Sequence, residues 1–124
     1  MKTLASVLIL LTATSASMAQ ARDAQVAAGM TDFATCSICH ATVKGQNGVG
    51  PSLFGVVGRK AGTVSGFSYS KAMTASGITW DAASLDAFIT APKTKVPGTR
   101  MPFAGLKDAA KRQAIIAYLS SLHD

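Results

Sequence analysis

Cys36-Ser37-Ile38-Cys39-His40 spells C-x-x-C-H, and the chain's two cysteines are both in it. The pattern is the attachment signature of c-type haem. On one helical turn Cys36 and Cys39, at i and i+3, face the same side, so both sulfurs reach the two vinyl groups of one porphyrin. His40 follows at once and can turn a ring nitrogen toward the iron. A thioredoxin-like redox pair would want a βαβ surround, and no strand pattern flanks the motif. Half a zinc site would need a second Cys or His pair, and only His123 remains. The residues therefore point to one covalently bound haem c.

Composition agrees. Hydrophobic residues make up 48% and charged residues 15%, which argues against wholesale disorder. Eight aromatics are few for a domain with so little interior, and a buried macrocycle supplies the missing apolar mass. Two cysteines exclude a disulfide-rich scaffold.

Met1-Lys2 is a short positive start, Thr3 to Ala13 is an uncharged, mostly apolar run, and Ser17-Met18-Ala19 is a small-x-small triplet. This reads as a secretory signal peptide over residues 1–19, cut after Ala19 or, failing that, Ala21. The run is shorter than the roughly 18 residues a spanning helix needs. Residues 20–124 are left as one domain, expected to be soluble, monomeric and, in a bacterium, periplasmic.

One His leaves a coordination position open, and what fills it separates carrier from catalyst. The candidates are Met30, Met73, Met101 and His123. Met30 is too close to Cys36 on the same helix to cross the ring, and Met73 sits in a mixed polar stretch where core packing is the commoner fate. His123 is next to the terminus and reads as solvent-exposed. Met101 lies in Val96-Pro97-Gly98-Thr99-Arg100-Met101-Pro102-Phe103, a turn-rich loop that can present a thioether to the far face.

From Gly29 to Leu122 the chain resembles a class I cytochrome c, of the mitochondrial type and its periplasmic bacterial relatives. The resemblance rests on Gly29-x-x-x-Phe33-x-x-Cys36, the haem motif, Gly50-Pro51-x-Leu53 and Gly58-Arg59-Lys60-Ala61-Gly62. It continues through Gly66-Phe67-Ser68-Tyr69-Ser70, Gly77-Ile78-Thr79-Trp80, Pro92-Lys93, Phe103-Ala104-Gly105 and Ile116-Ala117-Tyr118-Leu119. It implies His40 and Met101 as axial ligands and Pro51 as carbonyl acceptor for the second nitrogen of His40. It also implies Arg59, Tyr69 and Trp80 as donors to the haem propionates, and Phe103 as a residue against the cofactor. Two positions depart from the mitochondrial pattern: Phe88 stands for a Tyr, and Met73 for an Asn, both beside the sixth ligand. Arg100 stands for a Lys.

The expected fold is all-α, three to five helices with Gly-rich loops around one haem. Periodicity places a first helix over about Asp23 to Cys36 and a last over about Lys107 to His123, with Ile115, Tyr118, Leu119 and Leu122 as its apolar stripe. Thr79 is a plausible N-cap for a helix over Asp81 to Ala91 that Pro92 ends, and a shorter piece covers Ser70 to Ala75. Lys44 to Gly66 holds seven Gly and one Pro and reads as loop. The resemblance implies that the terminal helices cross near Gly29 and Phe33, against Ile115 and Tyr118.

A His/Met iron has no vacant site for substrate, so the function implied is a one-electron carrier rather than an enzyme. Donors would be a membrane cytochrome bc complex or a periplasmic dehydrogenase, and a terminal oxidase or other acceptor would receive the electron. The formal charge of +6 favours an acidic partner. Lys93, Lys95, Arg100 and Lys107, with Lys44 and Lys60, would ring the haem edge, making transfer rates fall with salt. No recognition motif supports nucleic acid. A peroxidase or gas-binding protein would instead show a high-spin spectrum and bind carbon monoxide. A fixed subunit would co-purify with one partner at constant ratio.

Overall fold

The computed structural model describes residues 2–124, with side chains from Thr14 onward. Met1 and the side chains up to Ala13, which carry most of the expected leader, lie outside the described residues. Five α-helices follow in order: α1 (Lys2–Asp32), α2 (Lys71–Ala75), α3 (Ala82–Thr90), α4 (Pro92–Lys95) and α5 (Ala109–Ser120). A 3₁₀ helix, Phe33–Ile38, continues α1 into the cysteine motif. Among the described residues the one β-type pairing is an isolated antiparallel bridge between Lys60 and Thr79. The architecture is all-α. No helix among the described residues is long and apolar enough to cross a membrane.

The two long helices cross where the sequence has its smallest side chain. A Cβ on Gly29 would run into the Ala114 carbonyl and come within 2.8 Å of the Tyr118 Cβ, so only glycine lets α1 and α5 approach this closely. One turn on, Phe33 and Tyr118 meet edge to face with ring centroids 5.4 Å apart. Ile115 and Leu119, on the same face of α5, are among the most buried residues and join Phe33, Trp80, Leu85, Phe88 and Val96 in one core. Of the stripe read from period 3.6, Ile115 and Leu119 are buried and Tyr118 and Leu122 half-buried, and Ala114 and Ile116 are buried beside it.

Helix boundaries depart from the sequence expectation in ways that local hydrogen bonds explain. Helix α1 ends at Asp32 rather than at Cys36, and the next six residues tighten to 3₁₀ geometry. Asp81, not Thr79, caps α3. Its carboxylate accepts the Ser84 N–H at 2.8 Å while the Ser84 hydroxyl accepts the Asp81 N–H at 2.9 Å, a reciprocal capping box. Thr79 is held extended in its bridge to Lys60, which removes it from the cap position. Pro92 both ends α3 and opens α4, the first-turn role that suits a residue without an N–H. Ser70 caps α2 and Asp108 caps α5, so Asp108 precedes the first turn instead of sitting in it. Helix α5 stops at Ser120, three residues before His123.

The long loop is not slack. Trp80 N–H donates to the Arg59 carbonyl (2.9 Å) and Ala61 N–H to that of Ile78 (2.8 Å), seaming residues 58–61 to the start of α3. Gly55 N–H donates to the Leu122 carbonyl at 2.7 Å, pinning the loop to the C-terminal segment.

Candidate functional site

Burying Phe33 against Tyr118 fixes where the end of α1 points, and the cysteine motif follows three residues later. A 3₁₀ turn has three residues per turn, so side chains at i and i+3 stack more directly than in an α-helix. The turn at the motif closes through the N–H groups of Cys39 (3.1 Å) and His40 (3.0 Å), both donating to the Cys36 carbonyl. Both thiols are free and partly exposed. Burial pushes the Cys36 thiol above its ordinary pKa, which keeps it protonated at neutral pH.

His40 is oriented from both sides. Its Nδ1 lies 2.8 Å from the Pro51 carbonyl oxygen, and a carbonyl can only accept, so Nδ1 carries the proton and Nε2 the lone pair. Burial lowers the pKa of the imidazole; the Pro51 bond opposes this partly and the Arg59 charge adds to it. The ring is therefore neutral at pH 7, the form that ligates metal. Gly50 lies against the imidazole, where a Cβ would stand 2.7 Å from Nδ1 and 2.9 Å from Nε2.

The loop that presents Pro51 is built by side chains that sequence reasoning passed over. Ser52, the one buried polar residue among those described, donates its hydroxyl to the Val43 carbonyl at 2.7 Å. Its N–H donates to the Asn47 Oδ1 at 3.0 Å. Asn47 precedes Gly48 and Ser52 follows Pro51 in a turn-rich stretch, a signal for loop but not for which partner each would find.

Arg59 is half-buried, and its guanidinium donates to the carbonyls of Phe54 and Ser52, both at 3.1 Å. No carboxylate among the described residues neutralises it, since the ion pairs there are Lys44–Asp124 and Arg112–Asp86. The Tyr69 hydroxyl accepts the Val64 N–H at 3.1 Å and so keeps its own proton to donate. Trp80 is buried with its ring 5.1 Å from that of Phe88.

Met101 and Met73 are both partly buried against the core cluster that Cys36 also touches. Met30, by contrast, is 59% exposed, and His123 is exposed with Nδ1 beside the Asp124 carbonyl. The Met101 loop is tightly turned: Thr99 N–H donates to Val96 O (3.0 Å), and Phe103 N–H to the Met101 carbonyl (2.9 Å). Gly105, at φ 114°, passes so near the Thr90 carbonyl that a Cβ would not fit.

These groups fit a haem. They comprise two free, partly exposed thiols three residues apart, a neutral imidazole whose Nδ1 is taken by Pro51, and a half-buried cation with no carboxylate partner among the described residues. The family model for cytochrome c matches residues 26–123. The chain belongs to the cytochrome c family. It is 52% identical over 90 residues to cytochrome c2 iso-2 of Magnetospirillum fulvum, covering 73% of this chain and 94% of that one. It is 54% identical over 94 residues to cytochrome c2 of Rhodoblastus acidophilus, covering 75% and 88%. The solved structure of cytochrome cH from Methylobacterium extorquens superposes with a TM-score of 0.74 at 49% identity, covering 77% of this chain and 97% of that one. This cytochrome is an electron carrier, not an enzyme, and its cofactor is haem c on Cys36 and Cys39.

Proposed function

We propose that this cytochrome is a soluble periplasmic one-electron carrier with His40 and Met101 as axial ligands. It takes electrons from a membrane cytochrome bc complex or a dehydrogenase and delivers them to a terminal oxidase or another acceptor. The haem, when bound, supplies a ferric–ferrous couple, and everything else is the work of the chain. Cys36 and Cys39 hold it by thioethers. His40, kept neutral and fixed by Pro51, offers Nε2. Arg59, Tyr69 and Trp80 offer N–H and O–H donors to the propionates, and Arg59 supplies the opposite charge. Met101 would supply a thioether as the second protein ligand to the iron, and Phe103 would pack against the cofactor. Residues 1–19 direct export.

The observation that carries the reading is the 2.8 Å contact from His40 Nδ1 to Pro51, because it leaves Nε2 as the basic nitrogen. Lys93 and Lys95, exposed on α4, with Lys60, supply the cationic docking surface; Lys44 is engaged in an ion pair with Asp124 at 2.8 Å. Exposed Ile38 and Val49 beside the motif add apolar contact area.

The test is a redox titration of the purified, exported protein after acid-acetone extraction of a parallel sample. The pigment should stay on the chain and cycle reversibly by one electron, with no carbon monoxide binding at neutral pH. Extractable pigment or ready carbon monoxide binding would overturn the proposal.

A further inference from the structure

Asn47 is the chain's only asparagine, and a glycine follows it. An Asn-Gly pair carries a reaction of its own. With no side chain beside it, the Gly48 nitrogen has an open approach to the Asn47 carboxamide carbon. After losing its proton that nitrogen bonds to Cγ, the Cγ–Nδ2 bond breaks, and ammonia leaves behind a cyclic imide. Water then opens either ring C–N bond. One opening gives aspartate, and the other gives isoaspartate, in which the chain runs on through Cβ and Cγ. Water is the only co-reactant.

The fold holds the reacting groups apart. Asn47 Oδ1 accepts the Ser52 N–H at 3.0 Å, and Nδ2 donates to the Ser65 carbonyl at 3.0 Å. The carboxamide is thus tied at both ends to different stretches of chain and cannot swing over the next backbone nitrogen. That nitrogen is occupied as well, since the Gly48 N–H donates to the Gly50 carbonyl at 2.9 Å. The turn is anchored in its place by the Gly50 N–H, which donates to the Cys39 carbonyl at 2.9 Å. Burial is not the protection. Asn47 and Gly48 are both exposed, so water and hydroxide reach them.

We propose that Asn47-Gly48 is a deamidation site that the fold latches shut, so that Asn47 is modified only while this loop is open. The change is one-way. The product carboxylate can still accept from Ser52, but it has no N–H for Ser65 and would set an oxygen against that carbonyl. A molecule that has stayed open long enough to react therefore closes less well afterwards. The proposal is independent of which residue is the sixth ligand.

The test ages the purified haem protein at mildly alkaline pH, one sample folded in buffer and one unfolded in guanidinium chloride. Isoaspartate is counted by enzymatic methylation of its free carboxylate and located by peptide mass. The unfolded chain should accumulate it at position 47, and the folded protein about a hundredfold more slowly. In the folded protein the Gly48 amide hydrogen should be protected from exchange by a similar factor, because the same opening frees both groups. Gly48→Ala fits the fold, since its Cβ would stand 3.4 Å from the Cys39 carbonyl oxygen and the glycine φ is not positive. It should slow the reaction in the unfolded chain about tenfold by crowding the attacking nitrogen. The deamidated fraction, more acidic and separable by ion exchange, should have a lower urea midpoint than the fresh protein.

Equal rates in the folded and unfolded samples, or a folded Gly48 amide that exchanges as freely as in the unfolded chain, would overturn the latch. An unfolded chain without isoaspartate at position 47, or an undiminished rate in Gly48→Ala, would overturn the reaction. A deamidated fraction as stable as the fresh protein would overturn the one-way loss.

Discussion

Gly50 passes so close under His40 that a methyl group there would stand 2.7 Å from the ring Nδ1. The backbone at Gly50 is thus part of the wall that sets the imidazole plane, together with the Pro51 carbonyl 2.8 Å from the same nitrogen. Glycine is needed here for space, since its φ is not among the positive ones.

Gly50→Ala should therefore leave the loop conformation accessible but push the imidazole off its seat. Overpacking of this kind costs about 1–3 kcal/mol. A lower urea midpoint together with a displaced midpoint potential is the expected outcome. A variant with wild-type values for both would show that the ring has room to move.

Gly29→Ala sets two effects against each other. Ala gains about 1 kcal/mol of helix propensity over Gly. Against this, its Cβ would meet the Ala114 carbonyl, which is backbone and cannot swing aside, and would stand 2.8 Å from the Tyr118 Cβ. The clash should win, with a net loss of about 2 kcal/mol read from urea unfolding. A gain in stability would mean that α1 and α5 can part without loss of packing.

Arg112 ties three elements together. It donates to Asp86 Oδ1 in α3 at 2.7 Å, and to the Leu106 and Lys107 carbonyls at 3.0 and 2.9 Å. Its side chain is 12% exposed against 43% for Asp86, so most of the desolvation falls on the arginine. Arg112→Ala should cost about 3 kcal/mol, because it strands a carboxylate and two carbonyls, whereas Asp86→Asn should cost about 1 kcal/mol. Equal losses in the two variants, measured by thermal unfolding, would contradict this ordering.

Asp81 gives a pH signature. Hydrogen bonds from the Ser84 backbone and side chain hold its carboxyl below the ordinary value of 3.8. A depressed folded-state pKa means stability that is present above the unfolded value and lost as pH falls through the folded one. Wild type should exceed Asp81→Ala in stability at pH 6, and the gap should narrow below pH 4. A gap that is constant down to pH 2 would rule out the carboxylate as the capping group.

Much of this was legible in the sequence because single residue types impose it. C-x-x-C-H is stated by spacing alone, and the α1–α5 crossing at Gly29 is what the family resemblance implied. What was not legible depends on backbone groups brought together from a distance. Thr79 and Asp81 are both good caps locally, and only the bridge from Lys60 to Thr79 decides between them. Asn47 and Arg100 find the carbonyls of Ser65 and Ser68 across 18 and 32 residues, and no local pattern names those partners. The change to 3₁₀ geometry before Cys36 is likewise invisible in a hydrophobic pattern that suits either helix.

The central claim is that Met101, and not the equally core-packed Met73, closes the iron. The measurement that tests it most directly is the red charge-transfer band of the oxidised protein in wild type, Met101→Leu and Met73→Leu. The band should be present in wild type and in Met73→Leu and absent in Met101→Leu. Its survival in Met101→Leu, or its loss in Met73→Leu alone, would contradict the account.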